Sequence, residues 1–143
     1  MIELEVVTPE RHVLADSVES IELPGKEGYL GVLPGHAPLL TELGVGTLSY
    51  TKFSDTKYLT VIRGFAEVLP DRVIVLAEIS ERAEEINIER SRTAEGNARA
   101  RLAKSTAGEK EWIDASLSLE RALVRLQTAA KAGATEASPT SNH

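Results

Sequence analysis

At Ser80 the chain changes character, and that change limits what it can fold into more than any other feature. Before it, short alternating or β-branched runs are separated by glycine and proline. After it glycine is scarce, valine almost vanishes, and Ala, Glu, Arg and Leu dominate. Strand patterns followed by helix patterns, without interleaving, define an α+β chain whose two parts are built one after the other. Charge divides at the same place. Residues 1–80 hold 12 acids and 6 bases while residues 81–143 hold 10 of each, so the formal charge of −6 sits on the first part. An acidic first part offers phosphate backbones nothing to dock on, so nucleic acid is not an expected partner.

Within the first part, Ile2, Leu4 and Val6 alternate with Glu3 and Glu5, the period-2 pattern of a strand with one buried face. Val13–Leu14, Val18–Leu23, Gly44–Tyr50, Tyr58–Ile62 and Phe65–Leu69 read as further short strands, with a hairpin tip at Phe53–Thr56. Val73–Ile79 is almost continuously apolar and predicts a strand buried on both faces. Many short strands punctuated by turns predict an N-terminal β-sandwich or flattened barrel over residues 1–85.

The segment Glu27 to Leu43, EGYLGVLPGHAPLLTEL, interrupts this pattern. Gly28, Gly31, Pro34, Gly35 and Pro38 fix an irregular backbone. Leu30, Val32, Leu33, Ala37, Leu39 and Leu40 run through it. The expectation is a shaped loop tucked against the core with its backbone groups paired there.

In the second part, Asn87 is placed to cap a helix running to about Lys104, and Ser105–Gly108 breaks it. Thr106 with Glu109 fits a capping box for a second helix, with Trp112, Leu119, Leu123, Leu126 and Ala130 at helical spacing. Together these predict a C-terminal antiparallel two-helix hairpin over residues 86–131, followed by a disordered tail at 132–143. The first helix has a poor inner face: Ile88, Ala94, Ala98 and Leu102, with Gly96 near its middle. A hairpin held so weakly suits a two-position switch as well as it suits a mobile appendage.

Reaction chemistry is not legible. With no cysteine there is no thiolate nucleophile, disulfide or thiolate metal site. His12, His36 and His143 have no metal-ligand spacing, and no phosphate-loop, dinucleotide or nucleophile-elbow motif occurs. His36, between Gly35 and Ala37, reads as a loop-shaping or contact residue. The start MIELEVV lacks the pattern of a signal peptide, and no apolar run approaches the ~20 residues of a membrane span. Membrane association is expected only through partners.

GVLPGHAPLLTEL, with GFAEVLPDRVIVLAEISERAEEI further on, closely resembles the epsilon subunit of the F-type ATP synthase, called delta in mitochondria. The likeness runs from Met1 to about Lys131 in order and spacing. It implies a non-catalytic rotor subunit with gamma, the c-ring and the alpha/beta subunits as partners. It would sit at the cytoplasmic face of a bacterial plasma membrane, the chloroplast thylakoid being the other setting. Tyr29, Pro34, Gly35, His36, Ala37 and Pro38 would form the loop facing the rotor ring, Tyr29 standing where the family often has an acid. Arg99, Arg101, Arg121 and Arg125 of the hairpin would meet acidic segments of the catalytic subunits and resist ATP hydrolysis.

The resemblance also places Glu81, Ile86, Asn87, Arg90, Ser91, Arg121 and Arg125 where some bacterial relatives bind ATP as a regulatory ligand. Guanidinium forks and a helix start do suit phosphate. Against this, Asn87 replaces Asp, Ser91 replaces Ala, and Asn97 stands where ATP-binding relatives place an arginine. These departures favour arginines reserved for a protein partner or for solvent. A free-standing sandwich module with a nucleotide-sensing arm is the alternative function, and no other cofactor or metal is implied.

Overall fold

The computed structural model describes residues 1–141, with side chains as far as residue 134. Seven strands come first: β1 (Ile2–Val7), β2 (His12–Val18), β3 (Ser20–Gly25), β4 (Gly28–Val32), β5 (Leu39–Lys52), β6 (Asp55–Val68) and β7 (Arg72–Ile79). A 3-10 turn at Ala83–Glu85 leads to helices α1 (Ile88–Lys104) and α2 (Lys110–Ser141). The strands form one sheet in the order β2-β1-β7-β6-β5-β3-β4. All neighbours are antiparallel except β1 and β7, which run parallel.

Val13 and Leu14 of β2 share one core with Val32 of β4, although those strands stand at opposite ends of the sheet. The sheet therefore folds over on itself into a sandwich, open between its two edges. The fold-over is built into the long pair β5–β6. Its pairing lapses at Gly44 opposite Arg63 without any change of register, and there Arg63 (φ 51) and Gly64 (φ 152) both take positive φ and bend the strand. A Cβ on Gly64 would lie 2.0 Å from the Leu76 carbonyl oxygen, so this corner admits only glycine.

Three expectations are corrected here. Tyr58–Ile62 and Phe65–Leu69 are not separate strands, because Arg63-Gly64 bends β6 without breaking its pairing. The irregular segment is shorter than expected: Gly28–Val32 pairs with β3 as an edge strand, and Leu39 already belongs to β5. Strand β7 is buried on one face only. Val73, Val75 and Ala77 enter the core, while Leu76 is 55% exposed because no layer covers that side.

The core contains sandwich residues alone. Helix α2 lies against the outside of β5 and β6, and α1 packs on α2. Ala115 and Ala122 of α2 share one helical stripe, and Val124 and Thr128 occupy the opposite one. The first stripe meets α1 and the second meets the sheet. Leu123, expected inside, is 40% exposed, and Ala130 is also exposed. On α1 the buried residues are Ser91 and Ala98, whereas Ile88 is exposed. The reason is local: Ser91 Oγ donates to the Asn87 carbonyl at 2.9 Å, which satisfies the hydroxyl inside the hairpin.

Asn87 caps α1 as expected, its side chain accepting from the Arg90 N–H at 2.9 Å. The expected capping box at Thr106 is replaced by a backbone bond from Glu109 N–H to the Thr106 carbonyl, and α2 begins at Lys110. Lys131 is not a helix end, since α2 continues through Ala132 and Ala134 to Ser141. The rest of the expected tail, residues 142 and 143, lies outside the described residues.

Candidate functional site

The loop at Leu33–Pro38 is firmly held. Gly35, at φ 88, donates its N–H to the Pro70 carbonyl at 2.8 Å, and His36 N–H donates to the Leu33 carbonyl at 3.2 Å. His36 Nδ1 lies 2.7 Å from the Ala37 carbonyl, a geometry in which Nδ1–H donates. Val32 enters the core and Leu30 packs against it as expected, but the later apolar side chains do not tuck inward. Leu33 is 64% exposed and Leu40 71%, with Pro34, Ala37, Pro38 and Leu39 also exposed. Backbone pairing to the β6–β7 turn already fixes the loop, so its leucines are free to face outward. Exposed leucines on a loop held by its backbone leave an apolar surface facing outward.

Tyr29 is itself 53% exposed, but it is held toward β5 and α2. Its hydroxyl accepts from the Thr47 N–H at 3.1 Å, and the Lys131 ammonium sits 5.5 Å from its ring centre, so it faces α2. A second apolar patch was not anticipated. Phe65 (52% exposed) and Leu76 are direct cross-strand partners on the uncovered side of β6 and β7. The signal was present in FAEVLPDRVIVLAE: when Ala66, Val68, Val73, Val75 and Ala77 face inward, Phe65 and Leu76 must face out.

The hairpin meets the sandwich through named contacts. Thr128 Oγ1 and Thr47 Oγ1 are 2.8 Å apart and buried. Arg125 Nε donates to Glu81 at 2.7 Å, and Arg63 pairs with Glu120. Ile62 is buried outside the core, on the face of β6 that its register shares with Val45 and Thr47, beneath α2. Among the inhibitory candidates, Arg99 pairs with Glu95 of its own helix, and Arg101 pairs with Glu111 across the hairpin. The Arg101 hydrogen bond holds the Glu111 carboxyl below its usual range. Among the described residues, Arg121 reaches Ser118, at 3.4 Å.

The nucleotide candidates are not assembled around a vacant phosphate site. Glu81 and Arg125 neutralise each other, and the Asn87–Ser91 turn closes on itself. Ile86 is half-buried at the end of the 3-10 turn, and Arg90 is exposed.

The linker before Ile86 is tied to the sandwich. Ser80 Oγ donates to the Thr60 carbonyl, and the Arg82 guanidinium donates twice to the Val13 carbonyl. Arg11 grips Glu85 at 2.8 and 3.0 Å, and that hydrogen bonding depresses the Glu85 pKa.

Rigid exposed leucines, an uncovered apolar sheet face and a hairpin lying outside the core define a docking subunit with an appended helical arm. The beta-sandwich domain of the ATP synthase delta/epsilon chain matches residues 1–83, and the long alpha-helix domain of that chain matches residues 84–130. The chain belongs to this family of non-catalytic ATP synthase subunits, and specifically to its epsilon chains.

It is 54% identical over 103 residues to the ATP synthase epsilon chain of Koribacter versatilis, covering 72% of each chain. Epsilon chain 2 of Syntrophotalea carbinolica is 47% identical over 132 residues, covering 92% of this chain and 96% of that one. Among solved structures, a chain of the Euglena gracilis mitochondrial ATP synthase OSCP/F1/c-ring assembly superposes with a TM-score of 0.72 at 26% identity. That match covers 83% of this chain and 75% of the other.

Proposed function

We propose that the chain is a rotor subunit of the proton-driven ATP synthase, coupling proton transport to ATP synthesis and restraining ATP hydrolysis through its hairpin. Its partners are gamma, the c-ring and the alpha/beta subunits. Its bacterial relatives support a place at the cytoplasmic face of the plasma membrane, reached through the complex. The leucine-rimmed loop around His36 rests on the c-ring, and the Phe65–Leu76 face lies against gamma. The hairpin either stays on β5–β6 or swings away so that Arg99, Arg101, Arg121 and Arg125 meet acidic segments of the catalytic subunits.

The observation that carries this reading is the separation of core and hairpin: among the described residues, no helix residue enters the sandwich core. An arm attached only from outside can leave without unfolding what it leaves. The test is an ATP synthase complex carrying this chain ended after Glu85. Assembly and ATP synthesis should persist while ATP hydrolysis rises. Unchanged hydrolysis overturns the brake, and loss of assembly overturns the assignment of docking to the sandwich alone. The braking contact is electrostatic, so inhibition should weaken as salt is raised.

A further inference from the structure

The face that α2 turns to the sandwich carries Glu120, Val124, Thr128 and Lys131, spaced as one helical stripe, and only Val124 among them is apolar. Burying two threonine hydroxyls against each other is a costly way to fill space that two aliphatic groups could fill, unless alignment matters. The Thr47–Thr128 pair is sensitive to alignment. Sliding α2 one turn in either direction puts Val124 or Ala132 opposite Thr47 and leaves a buried hydroxyl unpaired. The same slides bring Ser116 or Val124 to Arg63 in place of Glu120. Arg125 discriminates less, because Arg121 lies four residues earlier and can take its place opposite Glu81.

A second, independent observation concerns Arg63. It holds φ 51, a left-handed conformation that a side chain bearing Cβ adopts under strain. The strained residue sits at the bend of β6, and its guanidinium is spent on Glu120 of α2. The bend in β6 and the cation offered to the helix therefore arise at one place.

We propose that Thr47–Thr128 and Arg63–Glu120 form a polar latch that holds the hairpin against the sandwich in a single register. Release of the hairpin then requires both contacts to break together, and a hairpin out of register leaves a buried hydroxyl unpaired. The inference rests on the reading above in one respect, that the hairpin moves at all.

The chain has no cysteine, so Ser54→Cys and Ala132→Cys would take spin labels selectively. Both residues line the cleft of about 670 Å³ between the β5–β6 tip and α2. Pulsed electron paramagnetic resonance on the labelled, isolated full-length chain should give one short distance. Adding E120Q and T128V should raise a long-distance population by roughly tenfold or more, since one buried hydroxyl loses its partner and one cation its counter-charge. Thr128→Ser, which keeps the hydroxyl, should leave the short distance in place. An unchanged distribution in the E120Q/T128V chain overturns the latch. If helical circular dichroism falls in that chain, Thr128→Val and Thr128→Ser are compared singly, and equal distributions overturn it. Separation of the labels without any rise in hydrolysis by the complex leaves the latch standing and removes the brake. Unchanged labels beside an intact brake do the reverse.

Discussion

Ending the chain after Glu85 should leave a folded sandwich, and the structure says roughly how much stability it loses. Every residue of the core cluster lies in the strands, so that cluster survives intact. What the fragment uncovers is chiefly Ile62, whose exposure costs about 1.5–3 kcal/mol. Thr47 exchanges its Thr128 partner for water, a change near zero, and the partly exposed Arg63–Glu120 and Arg125–Glu81 pairs contribute ~0–1 kcal/mol each. The expected loss is therefore about 2–5 kcal/mol. Against this stands a stability of about 4–13 kcal/mol for a domain of this length, from ~0.05–0.15 kcal/mol per residue. Urea denaturation followed by far-ultraviolet circular dichroism should show a cooperative transition for residues 1–85, with its midpoint below that of the full chain. A fragment without a cooperative transition would refute the reasoning, because it would mean that the helices complete the core.

Further outcomes follow from single sites. Gly64→Ala should destabilise the chain by more than about 2 kcal/mol in urea, since its Cβ meets the Leu76 carbonyl and its φ of 152 disfavours a side chain. Leu33→Asp and Leu40→Asp should leave the urea midpoint within about 0.5 kcal/mol of the parent, because both side chains are exposed, while weakening recovery with the c-ring. Glu85 and Asp16 titrate below the usual carboxylate range, chiefly through hydrogen bonds from Arg11 and Lys52. A depressed folded value gives stability that is present above the unfolded value and lost as pH falls through the folded one. The thermal midpoint should therefore drop as pH falls below about 4, and less steeply in Glu85→Gln/Asp16→Asn. Isothermal titration with millimolar MgATP should show no binding heat, because Glu81 already occupies Arg125 and Asn87 caps its own helix. Measurable heat would restore the nucleotide reading.

Local pattern made the strand-then-helix order legible, because Ile2, Leu4 and Val6 alternate cleanly and Asn87 stands where a cap must. Errors arose where tertiary layers decide burial. Periodicity alone could not tell that β7 is covered on one side only, so Leu76 read as core. The leucines of the loop read as tucked for the same reason: an apolar residue looks alike to a sequence whether its own chain or another molecule covers it. In α2 the leucine spacing points to one face and leaves the other unmarked. A helix wedged between a partner helix and a sheet has two faces, and the sheet-facing one here is marked by Val124 and Thr128. The latch residues Thr47, Arg63, Glu120 and Thr128 carry no sequence motif. They are brought together by register, across separations of 57 residues for Arg63–Glu120 and 81 for Thr47–Thr128.

For the proposed release of the hairpin, the site of bending follows from where the linker ceases to be tied. Ser80, Glu81 and Arg82 each hydrogen-bond to sandwich groups, at the Thr60 carbonyl, the Thr60 hydroxyl and the Val13 carbonyl, and Arg11 holds Glu85. Ile86 and Asn87, both extended, are the first residues beyond these ties and the last before α1. Rotation about their backbone moves α1 and α2 together, because Ala98, Ala115 and Ala122 stay buried in the hairpin and Arg101 still holds Glu111. The cost falls on the contacts that α2 makes with the sheet and with the linker at residues 81–85. Leaving it uncovers Arg125 from Glu81 and Glu120 from Arg63 in the same movement. On the proposed release, the parked hairpin withholds a cation that the freed hairpin presents. A contact holding the arm down and the proposed contact of the extended arm would compete for the Arg125 guanidinium, so that strengthening one weakens the other.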